Sequence, residues 1–230
     1  MEENKKQYSR RHFLQDMFFG GAGIIILGSF GVSIITDEKK QTIKAISVNF
    51  DKCTGCRTCE TACSAFNHKV KINGEWVKGL GNPFYSNINV YHYNPDVDIP
   101  STCAICHDAP CIDACPVAPD LNTGRKALYR DEQFLTIKND TERCLGCRQC
   151  AKACENLRAG IIRPNDKTHK PERMCTLCEG DPQCVKYCPY GALDYLEMPN
   201  DRNLANLSPG DIAQRLIKKY YNIDIKEAEL

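Results

Sequence analysis

The chain has 230 residues, 42% of them hydrophobic and 8% aromatic, and it contains 16 cysteines. Lys and Arg total 30 against 29 Asp and Glu, a formal charge of +1, so nothing electrostatic points to nucleic acid or to a strongly acidic partner. The length allows one or two domains, and cysteine is the residue whose abundance has to be explained.

The chain opens with Ser9-Arg10-Arg11-His12-Phe13-Leu14-Gln15, followed by an uncharged run over residues 17–36. Paired arginines, then Phe-Leu, then a moderately apolar segment resemble a twin-arginine export signal, with Gln15 where that pattern often has lysine. The alternative is a polar N-terminus leading into a buried helix. The run is long enough to span a bilayer, for which about 18 apolar residues suffice, although it holds five glycines. Its best small-x-small step is Gly31-Val32-Ser33. Removal of the signal and retention of an apolar anchor helix both stay open. Lys5, Lys6, Arg10 and Arg11 precede the run and are expected to stay inside. Residues 1–36 are thus a signal or membrane anchor, and residues 37–42 a polar linker.

The folded domain is expected over residues 43–198, opening with a strand over 43–50 in which Ile46, Val48 and Phe50 alternate with Ser47 and Asn49. It leads into Cys53-x2-Cys56-x2-Cys59-x3-Cys63. Residues 64–87, with Trp76, Asn73-Gly74 and Pro83, read as a long insertion made of turns. Next come Cys103-x2-Cys106-x4-Cys111-x3-Cys115 and a hairpin of residues 127–130 with 134–137. The stretch before Cys144-x2-Cys147-x2-Cys150-x3-Cys154 repeats the strand-then-quartet order of the first unit. Cys175-x2-Cys178-x5-Cys184-x3-Cys188 and a strand over 193–198 complete the domain. In the tail, residues 199–230, Ser208 as N-cap and Pro209 at the first helical position precede Ile212, Leu216, Ile217 and Tyr220 at helical spacing.

The four quartets use every cysteine. Thiolate sulfur is the ligand of cubic iron-sulfur clusters, four per cluster, so 16 cysteines supply four. Spacing alone assigns the sets of three; in two-cluster ferredoxins the fourth cysteine serves the neighbouring cluster, so the quartets should work in pairs. Quartets in the order tight, loose, tight, loose, with Cys115-Pro116 and Cys188-Pro189, resemble the four-cluster ferredoxin-type subunit of molybdenum and tungsten oxidoreductases over roughly residues 44–198. Ser64 and Glu155 stand where that pattern has proline, and the fourth quartet has a shorter middle spacing than many relatives. The resemblance implies one cluster on Cys53, Cys56, Cys59 and Cys188, and another on Cys175, Cys178, Cys184 and Cys63. It implies a third on Cys103, Cys106, Cys111 and Cys154, and a fourth on Cys144, Cys147, Cys150 and Cys115.

Other uses of cysteine fit less well. Disulfide-dense scaffolds are usually smaller and their spacings do not repeat as quartets. Zinc sites commonly use two C-x2-C pairs set well apart. Cys103-Ala-Ile-Cys106-His107 matches the haem attachment motif, but haem there would strand Cys111 and Cys115; His107 is expected on the solvent side or beside a ligand. The radical-enzyme spacing C-x3-C-x2-C and the phosphate-binding glycine loop are both missing, and the histidines do not cluster with acids, so the chain is not expected to be an enzyme alone.

The fold class is therefore α+β: tandem ferredoxin-like units of short strands and helices wrapped around four 4Fe-4S clusters, plus an N-terminal apolar helix. The expected function is electron transfer in an extracytoplasmic complex. The resemblance implies a catalytic molybdopterin- or tungstopterin-containing subunit at one end and a membrane quinone-linked subunit or cytochrome at the other. A free-standing polyferredoxin shuttle is the alternative. Arg57, Arg143 and Arg148 are cations that could raise a cluster potential if they point inward.

Overall fold

A computed structural model describes residues 42–199, 204 and 207–224. The chain divides into units of Met1–Lys40 and Gln41–Leu230. The arginine pair, the apolar run and the linker up to residue 41 lie outside the described residues. No described helix is long and apolar enough to cross a membrane.

The second unit is built of short pieces. Strand β1 (Thr42–Val48) buries Ile43 and Ala45 in alternation, with Ile46 buried on its other side. The strand was expected to reach Phe50 but stops at Val48, because Asn49 turns its side chain onto the backbone. Its Oδ1 accepts from Asp51 N at 3.1 Å and caps a 3-10 turn over Phe50–Lys52. Asparagine competes with the ladder for backbone donors in this way. Helix α1 (Thr58–Asn67) follows the first tight loop.

Residues 64–87 are more ordered than the expected run of turns. Helix α1 continues to Asn67, and β2 (Val70–Ile72) pairs with β3 (Glu75–Val77) as a hairpin. Its turn is Asn73-Gly74, with φ of 51° and 89°. Asn-Gly favours the two-residue turn whose twist matches paired strands. A 3-10 turn, Pro83–Tyr85, then leads to the hairpin of β4 (Asn89–Tyr93) and β5 (Val97–Ser101).

The next units are smaller. Helix α2 (Pro110–Asp113) lies within the second quartet, and β6 (Leu128–Arg130) pairs with β7 (Ile137–Asn139). The second strand of this hairpin starts at Ile137 rather than residue 134, since Asp131 Oδ2 accepts from Phe134 N at 2.9 Å and lengthens the turn. Helix α3 (Gln149–Leu157), the pair β8 (Arg163–Pro164) and β9 (Pro171–Arg173), and α4 (Gln183–Lys186) follow. Strand β10 (Leu193–Pro199) returns to pair antiparallel with β1, Val48 opposite Leu193. The first strand of the domain thus closes on the last.

Helix α5 (Pro209–Tyr221) opens with a capping box in which Ser208 Oγ accepts from Asp211 N at 3.1 Å and Asp211 Oδ2 accepts from Ser208 N at 3.3 Å. Its buried face, Ile212, Ala213, Leu216 and Ile217, packs on Val97 and Ile99 of β5, with Tyr91 and Tyr93 at the edge. The other two cores are built around sulfur. Ile43, Ala45, Ile88, Leu177 and Leu193 surround Cys59, Cys63, Cys175 and Cys184. Leu128, Ile137, Ile161 and Met174 surround Cys111, Cys150 and Cys154.

One backbone feature recurs in every quartet. The residue before the second cysteine has positive φ: Gly55 at 64°, Ile105 at 51°, Gly146 at 67° and Leu177 at 52°. This left-handed step folds the loop back so that the first two cysteines of each quartet face one space. Glycine takes it without cost, whereas a branched Ile105 is strained and must be held by its surroundings; Ile105 and Leu177 are each 2% exposed. At Gly55 a Cβ would also overlap the Asp98 carboxylate, while at Gly74 nothing lies within 4 Å. Gly55→Ala is therefore expected to cost ~1–3 kcal/mol of stability and more than Gly74→Ala, as measured by denaturant unfolding of both variants.

Candidate metal centres

All the cysteines are free thiols, and the fold gathers them into four groups of four. Cys53, Cys56 and Cys59 line one cavity with Cys188. Cys103, Cys106 and Cys111 line another with Cys154. Cys144, Cys147 and Cys150 line a third with Cys115. Cys63 lies within electrostatic reach of Cys175, Cys178 and Cys184. Asn67 ties that last group together, its Nδ2 lying 3.5 Å from Cys63 Sγ and 3.6 Å from Cys178 Sγ.

The groups stand in file. Cys59 of the Cys53 cavity is within reach of Cys184 in the Cys175 group. Cys175 is within reach of Cys103, and Cys111 of the Cys103 cavity is within reach of Cys150 in the Cys144 cavity.

The secondary structure explains this arrangement. Cys59 and Cys63 sit four residues apart on one face of α1, and Cys150 and Cys154 do the same on α3. Four residues advance a helix by about 6 Å. The nearer cysteine completes its own loop and the farther one reaches the next group. Both helices start from an arginine in the left-handed region, Arg57 at φ 59° and Arg148 at φ 62°. Helix α1 packs on α4, and α2 on α3, so the first quartet meets the fourth and the second meets the third.

Eight of the cysteines are buried and six half-buried, while Cys56 and Cys147 are exposed. Burial pushes the thiols of Cys59, Cys63 and Cys111 up to about 12 and that of Cys150 to about 11. Burial raises Cys103 and Cys184 as well, and neighbouring sulfurs add to the effect. At Cys56 burial acts to raise the pKa, but hydrogen bonds from Thr58 and Thr54 carry it below the ordinary value. Backbone amides approach several sulfurs: Asn87 N is 3.3 Å from Cys63 Sγ, Ala192 N 3.3 Å from Cys188 Sγ, and Leu177 N 3.5 Å from Cys175 Sγ.

This donor set fits an iron-sulfur cluster. The ligands are all sulfur, four to a group, and such clusters are held by four thiolates. Among the described residues no three His, Cys, Asp or Glu side chains converge on a point where they could hold a single ion. The thiols border a space instead, about 480 Å³ around Cys103 and 330 Å³ around Cys53, part of each open to solvent.

Several neighbours of the sulfurs were not singled out in the sequence. Glu60, 1% exposed, receives Arg57 Nε at 2.5 Å and Val90 N at 2.7 Å, which neutralises the cation beside the Cys53 cavity. Asn67 is one helical turn beyond Cys63, a spacing that could have revealed it. Arg158 lines the Cys103 cavity just after α3, where no motif marks it. Of the arginines expected as cations, Arg143 turns to the backbone oxygen of Arg125 at 2.8 Å, while Arg148 borders the Cys144 cavity. In the haem-like stretch Cys103 and Cys106 share a cavity with Cys111, and His107 is exposed.

A model of a 4Fe-4S binding domain matches residues 50–66 and 141–157, the two tight quartets. The chain is 33% identical over 161 residues to the polyferredoxin-like subunit of an aliphatic sulfonate oxidoreductase from Pyrococcus furiosus, covering 70% of this chain and 80% of that one. It is 31% identical over 196 residues to the uncharacterized ferredoxin-like protein YdhX of Escherichia coli K12, covering 81% and 78%. With a subunit of the anaerobic dimethyl sulfoxide reductase of Haemophilus influenzae it shares 28% identity over 190 residues, covering 71% and 82%. Carrying 4Fe-4S binding domains and aligned over most of these relatives, the chain belongs to the family of iron-sulfur, ferredoxin-like electron-transfer subunits.

Proposed function

We propose that the chain holds four 4Fe-4S clusters and conducts electrons as the iron-sulfur subunit of an extracytoplasmic molybdenum or tungsten oxidoreductase. The observation that carries this reading is the file of four thiol groups, in which the fourth cysteine of each quartet joins the neighbouring group. The ligand sets are Cys53, Cys56, Cys59 with Cys188; Cys175, Cys178, Cys184 with Cys63; Cys103, Cys106, Cys111 with Cys154; and Cys144, Cys147, Cys150 with Cys115. When bound, each cluster supplies a site that takes and gives up one electron.

The residues around the sulfurs hold, orient and shield. The left-handed steps at Gly55, Ile105, Gly146 and Leu177 turn pairs of thiols inward. Apolar walls such as Ile137, Ile161 and Met174 line the Cys103 cavity and limit the contact of its sulfurs with water. Amides of Asn87, Ala192 and Leu177 offer N–H groups to sulfur, one means by which a protein adjusts a cluster's potential.

The partner is a catalytic subunit with a molybdenum or tungsten pterin, and electrons at the other end of the file pass to or from a membrane quinone-linked subunit or cytochrome. Support comes from relatives named as subunits of an aliphatic sulfonate oxidoreductase and of dimethyl sulfoxide reductase. Export by the twin-arginine route is supported by Arg10-Arg11 and the apolar run behind them. That route carries folded proteins, which suits a chain loaded with clusters before export.

Protein purified without air should contain about 16 iron and about 16 sulfide per chain; zinc or disulfides in their place would remove the basis of the reading. Co-purification with a large pterin-containing chain is the expected outcome, and isolation as a lone soluble carrier would favour the shuttle.

The nested ligand sets have their own test. Cys56→Ala with Cys188→Ala, both from one cavity, should lose at most about four irons. Cys56→Ala with Cys178→Ala, from two groups, should lose up to about eight.

Loading should also depend on pH. Thiols raised to about 12 by burial carry their protons near neutrality in the metal-free protein, and ligation requires thiolate. Reconstitution should therefore release protons and become less complete as pH falls, measured as acid released into weak buffer and as iron retained.

A further inference from the structure

Among the arginines that line the sulfur cavities, Arg158 differs from Arg57 and Arg148. Arg57, at the Cys53 cavity, is 51% exposed in its side chain and paired with Glu60, which is 2% exposed; the carboxylate is the deeper member, so the pair presents little net positive charge inward. Arg148, at the Cys144 cavity, is exposed. Arg158 is the reverse of the Arg57 case: its side chain is 18% exposed and its partner Asp108 is 57% exposed. The cation faces in and the carboxylate faces water.

Two of the three guanidinium nitrogens of Arg158 are engaged on the side away from the sulfurs, and the third is not. Its Nη2 donates to Asp108, and its Nη1 donates to Leu157 O at 2.5 Å. Its Nε is buried with no hydrogen-bond partner. A buried donor without a partner is costly, and the side chain lines the same cavity as Cys106. The guanidinium also lies within reach of the Cys106 sulfur. An electron-rich sulfur centre in the cavity would give the orphaned N–H an acceptor.

A fixed positive charge beside a cluster stabilises the form that has gained an electron. We infer that Arg158 tunes the cluster held by Cys103, Cys106, Cys111 and Cys154, raising its reduction potential by holding a guanidinium against Cys106. Asp108 moderates the effect from the solvent side. The inference rests on the ligand sets proposed above. It makes the Cys103 position, an inner one in the file, the place where an electron rests more readily than charge-neutral surroundings would allow.

The test uses the full chain with its clusters, followed by anaerobic redox titration with optical and electron paramagnetic resonance detection. Iron content of the unaltered protein is measured first; without about four irons per group the ligand assignment itself fails, independently of Arg158. Given normal iron, one of the components, the one altered in Cys106→Ala, should respond to substitution here. In Arg158→Gln its reduced-to-oxidised ratio at fixed poise should fall about tenfold, ~59 mV for one electron, with the other components unmoved. Arg158→Lys, which keeps the charge, should restore most of the shift. Asp108→Asn, which unmasks the cation, should move the same component upward and carries the test if Arg158→Gln loads poorly. No shift, an equal shift of all components, Arg158→Lys behaving like Arg158→Gln, or a downward shift in Asp108→Asn would each overturn the inference.

Discussion

Four thiols cannot share a desolvated space as thiolates unless positive charge sits among them. Burial, reinforced by neighbouring negative charge, drives Cys59, Cys63 and Cys111 above their ordinary acidity range, and neighbouring sulfurs make ionisation harder. An inorganic centre with iron at its corners reverses that balance, since a metal deprotonates a coordinating thiol outright. The architecture follows from this requirement. Instead of one apolar core the described residues form two that are lined with cysteine, plus a small conventional one under α5. The sheets among the described residues have two strands each, bracing loops rather than forming a layer.

The pairing of β1 with β10 is what nests the groups. By bringing the start of the domain to its end, it sets the first quartet beside the fourth, and the second and third are left to meet inside. Helices α1 and α3 each then link two groups through cysteines one turn apart. Within each of these two pairs, the separation between groups is thereby tied to helix geometry rather than to loop conformation.

Much of this was legible because ligand chemistry fixes spacing. The quartets, the strand ahead of the first, the returning strand at residue 193 and the Ser208–Asp211 box all have local signatures. What escaped were features decided by tertiary context. Nothing in Ala104-Ile105 or Thr176-Leu177 announces positive φ, a conformation these residues hold only because they are buried. The hairpin at residues 70–77 did carry an Asn-Gly signal, but it was submerged among other turn residues. Arg158 could not be told from the chain's other arginines, because its role depends on where α3 ends relative to the Cys103 cavity. The β4–β5 hairpin gave little sign because Asn89, Pro100 and Ser101 interrupt its apolar pattern.

The nested order also sets when each centre can be completed as the ribosome delivers the chain. On the ligand sets proposed above, the Cys103 and Cys144 groups have all their sulfurs once residue 154 has been made, whereas the Cys175 group waits for residue 184 and the Cys53 group for residue 188. Cys53, Cys56 and Cys59 are thus among the earliest thiols to emerge and belong to the last group to close. For the whole of that interval an early loop stands short of its final ligand, so the nascent polypeptide needs shelter from oxygen and from stray metals longest at its oldest cysteines.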